Sequence, residues 1–220
     1  MMIYDSDKWL KPYKDVIDRR HEMILDLKER LSVDGSLSKG MNNHMYYGLH
    51  RDDKGNWIFR EWAPNATKIY IIGEFNNWKR TEAYALRPIG GGNWEIVLPG
   101  MFLDHGTLYK LYIEWKGGGA ERLPAYVTRT VQDPVTKTFC AQVWDPYKPY
   151  EWRNAKPGKR PHPLIYECHI GMAAEEEKVG TFEEFRLNVL PKVADLGYDT
   201  LQIMALQEHP YYGSFGYQVA

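Results

Sequence analysis

The chain has 220 residues, of which 44% are hydrophobic and 26% are charged, a balance typical of a folded protein with one large or two small domains. Its 28 basic and 29 acidic side chains give a net charge of -1, which argues against a nucleic-acid or membrane partner. No stretch approaches the roughly 20 apolar residues needed to cross a bilayer, and the first residues do not resemble a secretory signal, so we expect a cytoplasmic protein.

The first predicted element is an amphipathic helix within a segment covering residues 1–40. Pro12 suits a first helical turn, and Gly35 ends the pattern. We expect the helix to dock on another element through its apolar residues, which are Tyr13, Val16, Ile17, Ile24, Leu27 and Leu31.

Residues 41–146 change to short β-type runs separated by turn-forming residues. The predicted strands are 45–51, 56–63, 67–72, 93–98, 107–115 and 137–143. Glycines and asparagines between them, as in 90–93 and 117–119, predict turns. Six or seven short strands in about a hundred residues are typical of an immunoglobulin-like β-sandwich.

A proline-rich stretch, 147–163, predicts a stiff linker, and residues 164–220 then alternate between strand and helix patterns. The helix is marked by Thr181 and Glu184 at capping-box spacing and by Gly197 at its end. Its flanking apolar runs predict a βαβ unit with parallel strands, which need covering layers on both faces. We therefore expect 164–220 to be the opening of a larger, incomplete α/β domain.

The cysteines and the aromatic residues indicate which kinds of site the chain could contain. Cys140 and Cys168 lie in separate predicted strands without metal-ligand spacing, so we expect buried thiols, with no disulfide and no metal site. The 8 Trp and 16 Tyr residues are an unusually large aromatic share. Aromatic rings cover the apolar faces of sugars, although they also fill β-rich cores.

Four separated motifs, in a fixed order, resemble those of one family. They are REWAPNA at 60–66, IGEFNNW at 72–78, YECHIGM at 166–172, and LQIMALQEH at 201–209 followed by YYGSFGYQV at 211–219. The chain resembles the 1,4-α-glucan (glycogen) branching enzymes, a glycosyltransferase group within the α-amylase superfamily, glycoside hydrolase family 13. The resemblance implies a mostly β fold: a carbohydrate-binding sandwich with an N-terminal helix and the first βαβ of a truncated (β/α)8 barrel.

The resemblance also implies an activity and a partner. Branching enzymes cleave α-1,4 links and form α-1,6 links in glycogen synthesis, so the expected partner is an α-glucan and no cofactor is needed. Two rival interpretations stay open: a non-catalytic glycogen-targeting module, and a debranching hydrolase of the same architecture.

Four residues are candidate glucan contacts. Trp78 follows two turn-forming asparagines, which places it with Asn77 at a hairpin end, where its ring is available to a sugar or folds back onto the sandwich. Lys110 matches a sugar-supporting lysine of related modules, although an alternating strand also turns lysines outward for solubility. By the same resemblance, Tyr217 matches a tyrosine that stacks on glucose beside the cleaved bond, on a loop at the active-site face of the barrel.

Several other aromatic and acidic residues are not expected to be glucan contacts or catalytic groups. The alternation of the second strand favours burial of Trp57 and Trp62, and the region 117–122 lacks the second exposed tryptophan of strong glycogen binders. Glu167 and Glu208 are not the catalytic pair. A retaining transfer needs two carboxyl groups about 5 Å apart, which by family resemblance follow later barrel strands, so we expect this chain to have no catalytic residues and no activity.

Overall fold

The computed structural model describes residues 2–219. The helices are α1 (Ile3–Ser6), α2 (Lys14–Leu31), α3 (Leu37–Gly40), α4 (Asn43–Tyr46), α5 (Phe182–Glu184) and α6 (Leu190–Asp195). The strands are β1 (Gly48–Arg51), β2 (Trp57–Trp62), β3 (Ala66–Gly73), β4 (Arg87–Gly90), β5 (Asn93–Leu98), β6 (Leu108–Trp115), β7 (Gly118–Arg122), β8 (Thr130–Gln132), β9 (Phe139–Gln142), β10 (Ile165–His169) and β11 (Thr200–Met204).

The predicted N-terminal helix is present as α2. Contrary to expectation, Pro12 does not lie in its first turn but inside the 3-10 turn Lys8–Tyr13 that leads into it. The expected docking does not occur within the described residues, because Val16, Ile24 and Leu27 on the apolar face are all exposed.

Two antiparallel sheets form the β part of the molecule. One has the strand order β1-β2-β5-β4, and the other has β3-β6-β9-β8 with β7 also paired to β6. Alternate residues of both sheets face one shared apolar core, in which the ring of Phe59 from the first sheet lies edge-on to Tyr109 of the second, 6.2 Å between centroids. The arrangement is a β-sandwich.

Each of the six predicted sandwich strands is present within one to three residues of its predicted bounds. Three further strands, β4, β7 and β8, have no prediction. The prediction of a turn at 117–119 is wrong for Gly118 and Gly119. Both belong to strand β7, because Gly118 pairs with Trp115 and Gly119 with Glu114. A tight hairpin therefore replaces the expected loop.

The prediction that both Trp57 and Trp62 are buried is half wrong. Trp57 is 4% exposed, whereas Trp62 is 57% exposed. The side chains of a strand alternate between its two faces, so residues 57 and 62 point to opposite faces. The inward position next to Trp62 belongs to Glu61, which is buried.

The carboxyl-terminal part contains the predicted βαβ unit. Strands β10 and β11 pair in parallel, with Ile165 opposite Thr200. The helix between them is capped by Thr181 as expected, but it is broken by a π-helical turn at Phe185–Val189. Pro191 has no N–H to continue the helical ladder, which accounts for the irregularity just before it.

Much of the apolar surface of this unit is open. Cys168, Ile170 and Phe185 form a small core, whereas Leu164, Phe182 and Leu196 are exposed. Residues 147–163, which precede the unit, contain neither helix nor strand and are exposed throughout.

Both cysteines are buried and free, as predicted, and burial raises the pKa of each thiol. Within residues 2–219 no helix combines the length and the apolar character needed to cross a membrane. The described part of the chain also contains no group of three or more His, Cys, Asp or Glu side chains suited to hold a metal ion.

Candidate functional site

The turn that follows β3 places Trp78. Asn76 braces it, because its side chain accepts a hydrogen bond from the Gly73 N–H (2.9 Å) and donates one to the Ile71 carbonyl (3.1 Å). Asn77 and Trp78 then adopt left-handed backbone conformations, with φ of 53° and 58°. A bulky residue in this region is uncommon, and such residues cluster at functional sites.

The turn is locked against the start of β6. The Glu74 carboxylate accepts a hydrogen bond from the Leu108 N–H at 2.8 Å. Gly73 permits this close approach, since a Cβ there would lie 2.4 Å from the Leu108 carbonyl oxygen. The position of the Trp78 ring is therefore fixed relative to β6.

Lys110 lies on β6 opposite Ile72 of β3. Its neighbours Tyr109 and Leu111 are buried in the core, so alternation turns the lysine to the outer face of the sheet. There its Nζ donates to the Glu121 carboxylate at 2.9 Å and lies 5.9 Å from the centroid of the Trp78 ring. The lysine side chain is only 14% exposed, so it is packed against its neighbours and is not freely solvated.

Trp78 and Lys110 line one cleft of about 460 Å³ on the outer face of the second sheet. Its other lining residues are Glu74, Leu108, Glu121, Val131, Gln132, Asp133, Pro134, Thr138 and Cys140. Trp78 is 38% exposed, which leaves part of its ring available. The structure thus brings two of the four predicted contacts together.

The other two predicted contacts do not line the cleft. Asn77 is exposed on the turn beside Trp78. Tyr217 is 79% exposed and follows the 3-10 turn Tyr212–Ser214, in the loop after β11.

Sequence reasoning missed the wall of the cleft opposite Trp78. Glu121 lies on β7, and Asp133 follows β8, two strands that were not predicted. An Asp-Pro pair before Val-Thr is a turn signal that was available. In the structure the Asp133 carboxylate accepts the N–H groups of Thr136 (2.6 Å) and Val135 (2.9 Å), and these hydrogen bonds lower its pKa.

A second region of interest lies at the carboxyl end of β10. Both ring nitrogens of His169 are buried and have no hydrogen-bond partner among the described residues. The rings of Tyr212 and Phe215 meet its ring edge-on, with centroids 5.9 and 6.3 Å away. These contacts place the loop that carries Tyr217 over the end of the parallel strand pair.

A larger cleft of about 600 Å³ lies beside the helix of the βαβ unit. Its charged groups are already engaged, since Lys178 pairs with Glu184 (2.5 Å) and Glu176 (2.6 Å). The aromatic residue in its wall, Phe185, is buried. It therefore lacks the exposed ring that distinguishes the cleft at Trp78.

The cleft at Trp78 combines a partly exposed indole with a lysine, carboxylates, an amide and a hydroxyl. Such a combination suits a neutral ligand that has apolar C–H faces and many hydroxyl groups.

Comparisons with known proteins point the same way. Residues 46–135 match the family described as carbohydrate-binding module 48 (isoamylase N-terminal domain). The chain is 37% identical over 99% of its length to a 1,4-alpha-glucan-branching enzyme of Dictyostelium discoideum, and 39% identical over 97% of its length to one of Rhizophagus irregularis. Over nearly its whole length the chain is thus similar to part of the branching enzymes.

The chain spans about a third of the length of the curated relatives it matches, 33% and 32% for these two. Among solved structures it is similar to the pullulanase SAP of group B Streptococcus in complex with maltotetraose, with a TM-score of 0.56 and 21% identity over 75% of this chain and 24% of that one. At that identity the likeness concerns the fold alone.

Proposed function

We propose that this chain is part of a 1,4-α-glucan-branching enzyme and that its sandwich binds α-glucan chains in the cleft at Trp78. The observation that carries the proposal is the Trp78 ring held beside Lys110 in a cleft of the module that matches carbohydrate-binding module 48. Similarity to branching enzymes over nearly the whole chain supports the assignment of the parent protein.

The proposed binding mode follows from the chemistry of the lining. One glucose ring lies with its apolar face on the Trp78 indole, which releases water from both surfaces. Lys110 and Thr138 offer polar groups to the sugar hydroxyls at the edge of the ring. Asn77 contacts the glucan where it passes over the turn.

In the whole enzyme, the transfer proceeds by double displacement. A carboxylate attacks the anomeric carbon, and the α-1,4 bond breaks as a carboxylic acid protonates the leaving oxygen. The oxygen of a 6-hydroxyl then attacks the same carbon, its proton returns to the deprotonated acid, and the glycosyl ester bond breaks, which forms the α-1,6 link and frees the carboxylate. Residues 164–220 supply the first strands of the barrel, and Tyr217 stacks on the glucose next to the reacting bond. The proposed domain limits stay at 1–40, 41–146, 147–163 and 164–220, in a protein of the cytoplasm.

The rival interpretations receive less support. A glycogen-targeting module has no reason to continue into a parallel βαβ unit, and the similarity to branching enzymes continues through that unit. A debranching hydrolase is favoured only by a structural likeness at 21% identity, which carries no statement about chemistry.

The test is binding of maltoheptaose to the 220-residue chain, measured by titration calorimetry, with migration in glycogen-containing gels as a second measurement. Trp78→Ala is expected to weaken binding at least about tenfold, or about 1.4 kcal/mol, because the sugar platform is removed. Trp9→Ala removes an equally large, more exposed indole from the N-terminal segment and should leave binding unchanged. Equal affinity of Trp78→Ala and the parent chain would exclude this cleft.

A further inference from the structure

The cleft at Trp78 has an unbalanced set of charges. Three carboxylates line it, Glu74, Glu121 and Asp133, against one lysine, Lys110. Lys137 lies near Asp133 and contributes to lowering its pKa, but it is not part of the lining. The interior of the cleft is therefore net negative in a chain whose overall charge is close to zero.

Each carboxylate is held in place by an internal contact. The Glu74 carboxylate accepts a hydrogen bond from the Leu108 N–H, and the Glu121 carboxylate accepts one from the Lys110 ammonium. Asp133 accepts two backbone N–H groups of the following turn, which keep it ionised. These contacts orient the three acidic groups within the lining.

The thiol of Cys140 also lies in the lining. Burial is the main cause of its raised pKa; among the charges, Lys110 has the largest effect and lowers the pKa, whereas Glu121, Asp133 and Glu74 raise it. All four charged groups of the lining thus act on one point of the cleft.

The single cation is also engaged. Lys110 is bound to Glu121 and mostly covered, so an anionic ligand must break or share an existing ion pair to reach it. A neutral sugar ring has no such requirement, since hydroxyl groups hydrogen-bond to carboxylates without an electrostatic cost.

We propose that the acidic lining makes this cleft selective for neutral α-glucan and excludes glucan segments that carry phosphate monoesters, with Glu121 and Asp133 as the specificity-determining residues. This inference rests on the proposed function of the same cleft. Like charges facing each other across a binding site are a common way of rejecting a wrong ligand while leaving affinity for the correct one unchanged.

The experiment compares two ligands of equal length: maltoheptaose, and maltoheptaose with one 6-phosphate on an internal glucose. A phosphate monoester carries about two negative charges at pH 7.5. At about 10 mM ionic strength we expect the phosphorylated chain to bind roughly fivefold more weakly, from Coulomb repulsion across about 10 Å of water. At about 1 M salt the difference should fall below about twofold, because repulsion at this distance is then screened.

The double variant Glu121→Gln with Asp133→Asn tests the two residues. Both substitutions retain a side-chain oxygen for the existing hydrogen bonds and remove two negative charges from the lining. Because both residues line the cleft, the measured quantity is the ratio of the two affinities, and the preference for maltoheptaose over the phosphorylated chain should fall from about fivefold to less than about twofold. The control is Glu29→Gln with Asp53→Asn, which changes the net charge equally at two exposed positions outside the cleft and should retain the discrimination.

The outcomes separate the two proposals. If maltoheptaose binds and the phosphorylated chain binds equally well at low salt, selectivity is refuted while glucan binding stands. If neither ligand binds, the proposed function fails and the selectivity fails with it. The salt dependence in the unsubstituted chain gives the same answer if the double variant does not fold.

Discussion

At the scale of single residues, Glu61 is the unusual member of the sandwich core. Its side chain occupies an inward position between apolar neighbours and is 4% exposed. It accepts hydrogen bonds from the N–H groups of Trp62 and Ala125, both at 2.9 Å, and so ties β2 to the segment after β7. Burial raises its pKa above the ordinary glutamate value, although the two hydrogen bonds partly oppose the shift.

The raised pKa gives a prediction with a defined sign. The folded chain holds the Glu61 proton more tightly than the unfolded chain, so this group's contribution to stability is present below pH 4.5 and is lost as pH rises through the raised pKa. Glu61→Gln cannot titrate. The difference in free energy of unfolding between the variant and the unsubstituted chain should therefore rise from pH 4 upward, by at most about 1.4 kcal/mol per pH unit. Urea unfolding at several pH values measures it.

The matched control for that measurement is Glu29→Gln, which removes a carboxylate from the exposed surface of α2. The difference in free energy of unfolding between this variant and the unsubstituted chain should stay constant between pH 4 and 8. A constant difference for Glu61→Gln as well would mean that the buried carboxylate has an ordinary pKa.

At the scale of secondary-structure elements, the helix of the βαβ unit begins at a reciprocal cap. The Thr181 hydroxyl accepts the Glu184 N–H at 3.2 Å, and the Glu184 carboxylate accepts the Thr181 N–H at 2.9 Å. Lys178 adds an ion pair to the same carboxylate at 2.5 Å. These contacts satisfy N–H groups that the first helical turn leaves without partners.

Loss of the cap should loosen this helix. Thr181→Ala is expected to cost about 1 kcal/mol of local stability, measured as faster amide hydrogen exchange across residues 182–195. Thr181→Ser retains the hydroxyl and should retain the protection. Unchanged exchange in Thr181→Ala would mean that packing of Phe185 and Val193, rather than the cap, holds the helix.

The cap also predicts a pH dependence of the same exchange rates. Lys178, followed by the Thr181 contacts, lowers the pKa of Glu184 to about 2. A lowered pKa means that the stabilisation is present above the ordinary value of 4.5 and is lost as pH falls toward 2. After correction for the intrinsic chemistry of exchange, protection of this helix should decline across that interval.

At the scale of the whole molecule, the chain contains a sandwich with an extensive core and a βαβ unit whose core is small. The sandwich core draws on both sheets and excludes water from residues such as Phe59 and Leu111. The βαβ unit leaves Leu164, Phe182 and Leu196 exposed. A parallel strand pair is normally covered on both faces, so the proposed barrel accounts for the surface left open here.

If the sandwich binds glucan and the catalytic carboxyl groups lie elsewhere in the parent enzyme, the 220-residue chain should bind glucan without cleaving or transferring it. Incubation with amylose should leave the absorbance of the iodine complex unchanged, because the paired carboxyl groups that a retaining transfer needs are expected elsewhere in the parent enzyme. A complete branching enzyme in the same assay should shift the absorbance. A comparable shift by this chain would refute the proposal that catalysis belongs to other parts of the parent enzyme.

Local patterns in the sequence were sufficient for many elements. The spacing of apolar residues predicts α2 and six sandwich strands, and Thr181 with Glu184 predicts the helix cap. These features depend on residues a few positions apart, which is why they are readable one segment at a time. Trp62 was misplaced because strand alternation was applied to two residues that have opposite parity.

The sequence by itself determined α2, six of the sandwich strands, the βαβ unit, the family resemblance, and Trp78 and Lys110 as candidate contacts. Only the tertiary structure decided that these two residues share a cleft, that its opposite wall carries Glu121 and Asp133, and that Glu61 is buried. The reason is physical: β3, β6, β7 and β8 become neighbours through hydrogen bonds between strands, and the order of strands in a sheet depends on how both sheets close over their common core.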